Sequence, residues 1–362
     1  DYTELLPLVH DGVKSRASQR LLAKDRNVYL TIDARLQKRV ADVIHDRVRA
    51  DPNLRGRFIS AAVLDVATGD VLASVTYPLP DSVADYLNPA YFDRAAYATR
   101  APGSTFKLAT AMAGYRTLGD NVDTWTTNTV PGVLLPLAIE QSNNAYFSAL
   151  AYEAGPDAML DVIETFGFTV WRDGLTRAQK LTRLRRDLND RAQTGFGQGE
   201  LAGSPLLVAR LAATVANDGK MPPINWLRDQ GEPPSAAVSV ITPAQARRLG
   251  AYMRQVVVGS RGTARRTLGN HGLAIAGKTG TAEQIGQSRR RVNNAWFTGF
   301  APYREVPNGA PQIAVAVLIE AKPTDRGGQK LGGGSDAAPI AGSIFDEAVG
   351  LGIIRRAIPS LR

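Results

Sequence analysis

The pattern of apolar and polar positions near the N-terminus predicts a short strand, a helix and a β-hairpin. Apolar residues alternate with other side chains across Val28–Ile32, which is the period of a half-buried strand. Asp33 then stands at an N-cap position, ahead of apolar residues at helical spacing that continue to Val48. Two further apolar runs, Phe58–Val66 and Val71–Tyr77, flank a turn and predict the hairpin.

The middle of the chain, roughly residues 80–225, is predicted to be mainly helical. One helix begins near Ser104, and because the stretch Leu108–Tyr115 carries no charge, we expect that helix to be buried on all sides. The stretch Trp171–Arg191 is rich in arginine and predicts a solvated helix face. Thr242 begins a capping box that predicts a further helix.

The C-terminal part returns to short apolar runs and ends in a helix. Strands are predicted at Leu273–Ala276, Asn294–Ala301 and Gln312–Glu320, and a glycine-rich loop at Gly327–Gly334 precedes an apolar helix at Ile340–Leu351. Strands at both ends with helices between them predict one sheet assembled from both parts of the chain, beside a helical lobe at about residues 80–225. The predicted fold class is therefore α+β.

Composition narrows the class of protein. The chain has 362 residues, of which 44% are hydrophobic and 21% charged, an ordinary globular composition. The formal net charge of +9 favours an anionic surface, such as a bilayer or a cell-wall polymer, over nucleic acid, because the basic residues are scattered. There is no cysteine, and none of the three histidines has a partner at ligand spacing, so we expect no disulfide, metal or other cofactor.

Residues 1–27 are polar and basic, and are interpreted as a lead-in or the stub of a preceding domain. Residues 28–362 are interpreted as one domain that contains the helical lobe. No apolar run is long enough to cross a membrane, and because the first residue is Asp1, an N-terminal signal or anchor outside this sequence stays open.

The first motif that carries chemistry is Ser-x-x-Lys at Ser104–Lys107, at the start of the uncharged helix. Three residues make nearly one helical turn, so the two side chains face the same way. A serine hydroxyl becomes a good nucleophile when a neighbouring base takes its proton, and partial burial lowers the pKa of a lysine towards that role. On its own, however, this motif is more often a coincidence at a helix start.

Two further motifs follow. Ser142-Asn143-Asn144 is the only Ser-x-Asn in the chain, and by itself it indicates a loop or a helix cap. Lys278-Thr279-Gly280-Thr281 indicates a strand with a cation and two hydroxyls, which suits the capture of a carboxylate, and with a glycine that lets a ligand approach. Ser-x-x-Lys, Ser-x-Asn and Lys-Thr-Gly together are the motif set of penicillin-binding proteins and class A β-lactamases.

With the three motifs in this order, the chain resembles the transpeptidase domains of penicillin-binding proteins over about residues 28–350. Further similar stretches are Leu30–Asp33, Gly197–Glu200 and Trp296–Gly299. The resemblance implies a penicillin-binding/β-lactamase-like fold, with an antiparallel sheet flanked by helices, and a site between the sheet and the helical lobe. It also implies a peptidoglycan D,D-transpeptidase that binds stem peptides and β-lactam antibiotics. Such a protein would work with membrane-associated cell-wall synthesis machinery on the extracytoplasmic face of a bacterial membrane.

The resemblance implies a role for each residue of the first two motifs. Ser104 would attack the carbonyl of the penultimate D-alanine of a stem peptide, with Lys107 as its base. Ser142 would pass the proton to the leaving D-alanine, and Asn144 would hold the substrate amide. The stretch between Ser104 and Ser142 is shorter than the family leads us to expect, which leaves the role of Ser142 open.

The resemblance assigns the third motif to the substrate carboxylate. Lys278, Thr279 and Thr281 would bind that group, and Gly280 would let it approach the strand. The backbone N–H groups of Ser104 and Thr281 would form an oxyanion hole.

Other functions stay open beside this one. A D,D-carboxypeptidase, a β-lactamase or a β-lactam sensor of the same fold would use the same residues, although the Glu-x-x-Leu-Asn pattern expected of a β-lactamase is absent and Asp187–Asn189 is only a fragment of it. An alternative of another class is a nucleotide-binding enzyme, because Gly272–Thr279 matches the phosphate-loop pattern G-x-x-x-x-G-K-[ST]. The four inner residues of that stretch are apolar, which favours a strand over a phosphate loop.

Overall fold

The secondary structure is taken from a computed structural model that describes residues 6–23, 27–80, 92–171, 174–228, 236–285, 291–303, 312–322, 325 and 331–355. The α-helices are α1 Leu6–His10, α2 Arg16–Leu22, α3 Ala34–Ala50, α4 Arg94–Tyr97, α5 Lys107–Leu118, α6 Leu135–Glu140, α7 Asn144–Phe166, α8 Arg177–Arg186, α9 Leu188–Gly195, α10 Pro205–Ala216, α11 Pro243–Val258, α12 Arg265–Leu268 and α13 Ala338–Gly350. The strands are β1 Ile59–Asp65, β2 Val71–Tyr77, β3 Thr169–Val170, β4 Leu201–Ala202, β5 Lys220–Met221, β6 Val238–Ser239, β7 Ala276–Ile285, β8 Arg291–Ala301 and β9 Ile313–Ile319.

The main sheet joins the N-terminal hairpin to the C-terminal strands. Its order is β2-β1-β9-β8-β7, and every neighbouring pair is antiparallel. The junction is the pairing of β1 with β9, which runs from Ile59 opposite Ile319 to Asp65 opposite Ile313. This confirms the predicted hairpin and the prediction of a sheet built from both parts of the chain.

Two of the strand predictions are wrong. Among the described residues, the segment Val28–Ile32 forms only an isolated bridge, between Leu30 and Leu227, and no strand. The strand predicted at Leu273–Ala276 begins instead at Ala276 and continues through the Lys-Thr-Gly-Thr motif. Its polar residues are accommodated because β7 is an edge strand of the five-stranded sheet and one of its sides faces a cleft.

Two pairs of helices cover the sheet. Helices α3 and α13 pack against each other and the sheet, and α10 and α11 form a second such pair. The predicted N-cap of α3 is confirmed, since the Asp33 carboxylate accepts hydrogen bonds from the backbone N–H of Arg35 and Leu36. Helix α10 falls within the range 80–225 of the predicted helical lobe but packs on the sheet, where Thr298 Oγ1 donates to Val208 O at 3.1 Å.

Helix α5 forms the centre of the helical part. All residues from Lys107 to Tyr115 are buried, which confirms the prediction of a helix surrounded on all sides. It packs mainly against α7, which α9 contacts in turn. Among the described residues, no helix is both long enough and apolar enough to cross a membrane.

A buried ionic cluster joins the sheet to the segment that leads into α5. Glu320 follows β9, and its carboxylate binds Arg94 Nη1 at 3.0 Å and Arg100 Nε at 2.7 Å. The Arg94 guanidinium also lies 3.7 Å from the centre of the Phe58 ring. The backbone of Arg100 pairs in both directions with Gly203. The cluster therefore fixes the chain a few residues before Ser104.

We expect Glu320→Ala to lower the free energy of unfolding by about 3–5 kcal/mol, because it leaves the buried Arg94 without its partner carboxylate. Urea denaturation followed by circular dichroism measures this loss. The matched control is Asp42→Ala, which removes an exposed ion pair with Lys38 and should cost less than about 1 kcal/mol. Equal small losses in both variants would contradict the structural role of the cluster.

Candidate active site

One cleft of about 930 Å³ brings the three motifs together. Five of the eight predicted site residues line it, and the other three are buried directly beneath its surface. The lining residues are Ser104, Ser142, Asn144, Thr279 and Thr281, and the buried ones are Lys107, Lys278 and Gly280. The short spacing between Ser104 and Ser142 therefore does not prevent the first two motifs from meeting.

The predicted nucleophile lies on a tight turn ahead of α5. Ser104 is the second residue of a 3-10 turn, Gly103–Phe106, and is partly exposed to the cleft. The turn is held at its start by the Gly103 N–H, which donates to Gly197 O at 2.8 Å. Within the turn, Thr105 Oγ1 donates to Pro102 O at 2.7 Å.

Glycine is required at two points because three backbone segments meet beside Ser104. Gly197 has a φ of 82°, and a Cβ there would lie 1.9 Å from Gly103 O. Gly103 has a φ of 55°, and a Cβ there would lie 2.8 Å from Thr281 O. Side chains rarely adopt such backbone angles, and neither position has space for one. The backbone of the Ser104 turn therefore lies directly against Thr281 on β7.

Lys107 makes its hydrogen bonds to the second motif. Its Nζ lies 2.6 Å from Ser142 O, 2.6 Å from Asn144 Oδ1 and 3.2 Å from Ser142 Oγ. None of these bonds goes to Ser104. Burial, and then repulsion from Lys278, lower the pKa of Lys107 well below its ordinary value. A neutral amine would use its two hydrogens on the carbonyl and amide oxygens, which accept only, and its lone pair would be available to a hydroxyl proton.

The Ser-x-Asn motif is at once a loop, a helix cap and part of the site. Ser142 has a φ of 58°, a left-handed conformation that is unusual for serine and typical of functional sites. Asn143 is the N-cap of α7, and its Oδ1 accepts from Tyr146 N at 2.9 Å. Asn144 then begins the helix, with its amide oxygen bound to Lys107. The capping interpretation and the catalytic one are therefore compatible.

Lys278 lies behind Ser142 and does not line the cleft. Its Nζ donates to Ser142 Oγ at 2.8 Å and to Thr279 O at 3.0 Å. Burial lowers the pKa of Lys278 to about 7. Because side chains alternate along a strand, Thr279 and Thr281 project from the other face of β7 and line the cleft. If Lys278, Thr279 and Thr281 bind one carboxylate as predicted, the threonines contact it from the cleft. The lysine then acts from the opposite face of β7.

Ser142 Oγ lies between two amines. Lys278 and Lys107 approach it to 2.8 and 3.2 Å, and in the described residues no carboxylate contributes to the pKa shift of either lysine. Two adjacent buried ammonium groups repel each other. The pair therefore favours the state in which one lysine is protonated and the other is neutral. With Lys107 neutral and Lys278 charged, the Ser142 hydroxyl can accept from Lys278 and donate to Lys107. The arrangement can therefore accept a proton and pass it on.

Several cleft residues were missed by the sequence analysis. Asn189 and Gln193 on α9 line the helical wall, and Thr263 and Glu283 line the side of β7. The Gln198 side chain also lines the cleft, and its amide lies beside the backbone N–H and C=O of Glu283, at 2.8 and 3.2 Å. Of these five residues, Gln198 and Asn189 lie in stretches already named in the sequence analysis. Gly332, Gly333 and Gly334, which also line the cleft, belong to the predicted glycine-rich loop.

The phosphate-loop alternative is excluded by the position of Lys278. Gly277, Lys278 and Thr279 lie inside β7 and pair with β8, so no loop surrounds a phosphate and no helix follows. Among the described residues there is no cluster of acidic or histidine side chains that could hold a metal ion.

The sequence profile described as penicillin binding protein transpeptidase domain matches residues 59–346. That range is most of the chain and includes all three motifs. The chain belongs to the penicillin-binding protein transpeptidase family. The antiparallel sheet flanked by helices and the α+β fold class predicted from the sequence are those of this family.

Relatives of this transpeptidase domain share between a quarter and a third of its residues. It is 28% identical to the peptidoglycan D,D-transpeptidase PbpA of Mycolicibacterium smegmatis, covering 87% of this chain and 70% of that protein. It is 26% identical to MrdA of Haemophilus influenzae, covering 89% of this chain but 56% of that protein. The chain thus spans little more than half of some relatives.

Solved structures of similar shape are also penicillin-binding proteins. Pseudomonas aeruginosa PBP2, in complex with WCK 5153, has a TM-score of 0.67 and 29% identity, covering 88% of this chain and 78% of that one. The transpeptidase domain of Burkholderia pseudomallei penicillin-binding protein 3 has a TM-score of 0.70 and 24% identity, covering 93% of this chain and 100% of that one.

Proposed function

We propose that this chain catalyses peptidoglycan D,D-transpeptidation through an acyl-enzyme on Ser104. The observation that carries the proposal is that Lys107 and Lys278 both reach Ser142 Oγ, at 3.2 and 2.8 Å, beneath the cleft that Ser104 lines. A hydroxyl nucleophile beside a buried amine of lowered pKa is the arrangement that acyl transfer requires. Membership of the family supports the choice of a D-alanyl stem peptide as the donor.

The reaction has two acyl transfers. Ser104 Oγ attacks the carbonyl of the penultimate D-alanine and loses its proton to neutral Lys107. The C–N bond to the terminal D-alanine breaks, and a proton passed through Ser142 leaves with that amine. An amino group of a second stem peptide then attacks the ester and gives up a proton to neutral Lys107. A new C–N bond forms, the ester C–O bond to Ser104 Oγ breaks, and Ser104 regains its proton from Lys107.

The oxyanion formed in each step is proposed to bind the backbone N–H groups of Ser104 and Thr281. The contact between Gly103 and Thr281 O supports this, because it brings the two backbones together at one place. Backbone donors fixed before reaction need no reorganisation when charge develops. Asn144, whose oxygen faces Lys107, keeps its amide nitrogen for the donor peptide.

The donor carboxylate is proposed to bind over β7. Thr279 and Thr281 contact it from the cleft, and Lys278 supplies positive charge from behind the strand. A charge behind the strand can still strengthen binding, since a unit charge about 6 Å from a carboxylate would contribute roughly 2–3 kcal/mol at an effective dielectric constant of about 20. A β-lactam antibiotic, which carries a similar carboxylate, would bind in the same way.

The site of action is proposed to be the extracytoplasmic face of a bacterial membrane, together with other cell-wall synthesis proteins. The proposed substrate supports this location, because peptidoglycan stem peptides are cross-linked outside the membrane. The net charge of +9 would favour contact with the anionic polymers or lipids found there.

The first test is covalent labelling. Incubation with a carboxylate-bearing β-lactam should add one antibiotic mass to the intact protein, and peptide mapping should place it on Ser104. Ser104→Ala should not be labelled, whereas the control Ser148→Ala, at another serine that lines the cleft, should be. A label on any other residue, or full labelling of Ser104→Ala, would sink the mechanism.

The lysine pair predicts the pH dependence of acylation. The rate should rise with pH as Lys107 becomes neutral. For a carboxylate-bearing donor it should fall again above about pH 7, where Lys278 loses its charge. A neutral ester donor should lack this fall. Stopped-flow measurement of second-order acylation rates across about pH 5–9 checks both curves. That range brackets the pKa of Lys278, which is about 7.

Lys278→Met separates the two effects of that charge. The loss of repulsion should move the rising limb to higher pH for both donors, because the pKa of Lys107 increases. The carboxylate donor should also lose about 10- to 100-fold relative to the neutral ester. Lys14→Met, at an exposed lysine, is the control. An unmoved rising limb would argue against coupling between the lysines.

From the side chains that line the cleft, we expect the penicilloyl adduct on Ser104 to be long-lived. Hydrolysis of the ester needs a base to deprotonate water, but Asn189 and Gln193 offer only amides, and Glu283 is the one carboxylate among the described lining residues. Intact mass spectrometry should show an adduct that persists for hours, with the same lifetime in Glu283→Gln. Turnover of many antibiotic equivalents, or a longer lifetime in Glu283→Gln, would indicate a hydrolytic enzyme instead.

A further inference from the structure

A threonine outside the three motifs completes the surface over β7. Thr263 lies in the loop between α11 and α12 and lines the cleft beside the third motif. Its Oγ1 lies 2.6 Å from Thr279 Oγ1, a short hydrogen bond in which either oxygen can be the donor. Thr279 is 6% exposed, so its hydroxyl lies largely within the protein, with Thr263 as a direct neighbour.

The direction of this hydrogen bond decides what the cleft offers to a ligand. If Thr263 donates to Thr279, the Thr279 hydrogen is free to point into the cleft, towards an acceptor. A carboxylate only accepts hydrogen bonds, and a chain of aligned hydroxyls strengthens the last donor. Lys278 Nζ, which donates to Thr279 O at 3.0 Å, adds positive charge beneath the same residue. Two hydroxyls and a buried ammonium are thus aligned for one anion.

The loop that carries Thr263 is held on two sides. Glu140, two residues before Ser142, accepts from Arg261 N at 2.9 Å. On the other side, Thr267 Oγ1 donates to Gly334 O at 2.8 Å. A Cβ on Gly334 would lie 2.1 Å from Thr263 O, so the two backbones touch. Thr263 is therefore positioned by both the Ser-x-Asn segment and the glycine-rich turn.

We propose that Thr263 is a specificity-determining residue that orients the Thr279 hydroxyl towards the carboxylate of the acyl donor. The proposal rests on the function proposed above, because it concerns the same cleft and the same acylation of Ser104. It assigns selectivity for carboxylate-bearing donors to a hydroxyl pair and not to the Lys-Thr-Gly-Thr motif alone.

The test compares two acyl donors on two variants. Thr263→Val keeps the shape but removes the hydroxyl, and Thr263→Ser keeps the hydroxyl. The measured quantity is the ratio of the acylation rate with a carboxylate-bearing β-lactam to the rate with its neutral methyl ester. A hydrogen bond to a charged group is strong enough that this ratio should fall about 10- to 100-fold in Thr263→Val. It should stay within roughly three-fold of the unmodified protein in Thr263→Ser.

Thr182→Val is the control. It removes an exposed hydroxyl that donates to Ala178 O on α8, away from the residues that line the cleft, so it should leave both rates and their ratio unchanged. An unchanged ratio in Thr263→Val, or a ratio that Thr263→Ser fails to restore, overturns the proposal. Failure of the proposed function is seen separately, as an absence of labelling on Ser104 in the unmodified protein with either donor.

Discussion

The site depends on two buried lysines that share one hydroxyl. Lys107 and Lys278 are fully buried, and Ser142 Oγ bridges them. Burial disfavours the charge on each, and their mutual repulsion disfavours two charges at once. The pair therefore favours one neutral and one charged amine over two charges, without a histidine or a carboxylate. In the proposed mechanism, Lys107 would thereby supply the general base in a chain with only three histidines.

Such a pair is held in place by the fold and not by its own attraction. Lys107 begins the helix that the lobe surrounds, Lys278 lies within an edge strand of the sheet, and Ser142 lies on the loop before α7. The three elements come from different parts of the chain. Their contact requires Gly103 and Gly197, where side chains would separate the backbones. The ion pairs of Glu320 with Arg94 and Arg100 also fix the chain a few residues before Ser104.

Local patterns were enough to predict much of this site. Ser-x-x-Lys at the start of an uncharged stretch indicated a buried helix, and the structure has one at Lys107–Leu118. The hairpin and the N-cap of α3 were also predictable, because they depend on neighbours in sequence. The alternation at Val28–Ile32 was misleading because a strand also needs a partner, which a local pattern cannot reveal. Thr263 could not be predicted, because what distinguishes it is a hydrogen bond to Thr279, a residue from another part of the chain.

Strand alternation determines how the proposed carboxylate site is arranged around Lys278. The sequence groups the lysine and the threonines as one carboxylate site, but a strand directs neighbouring residues to opposite faces. A direct ammonium–carboxylate pair in a dry site would bind substrate, transition state and departing D-alanine with similar strength. Such uniform binding does not accelerate the chemical step, and it slows product release. With hydroxyls in front and the charge behind the strand, the carboxylate can be recognised and still released. The same charge also adds to burial in lowering the pKa of Lys107, so in the proposed mechanism one buried lysine would serve both recognition and base activation.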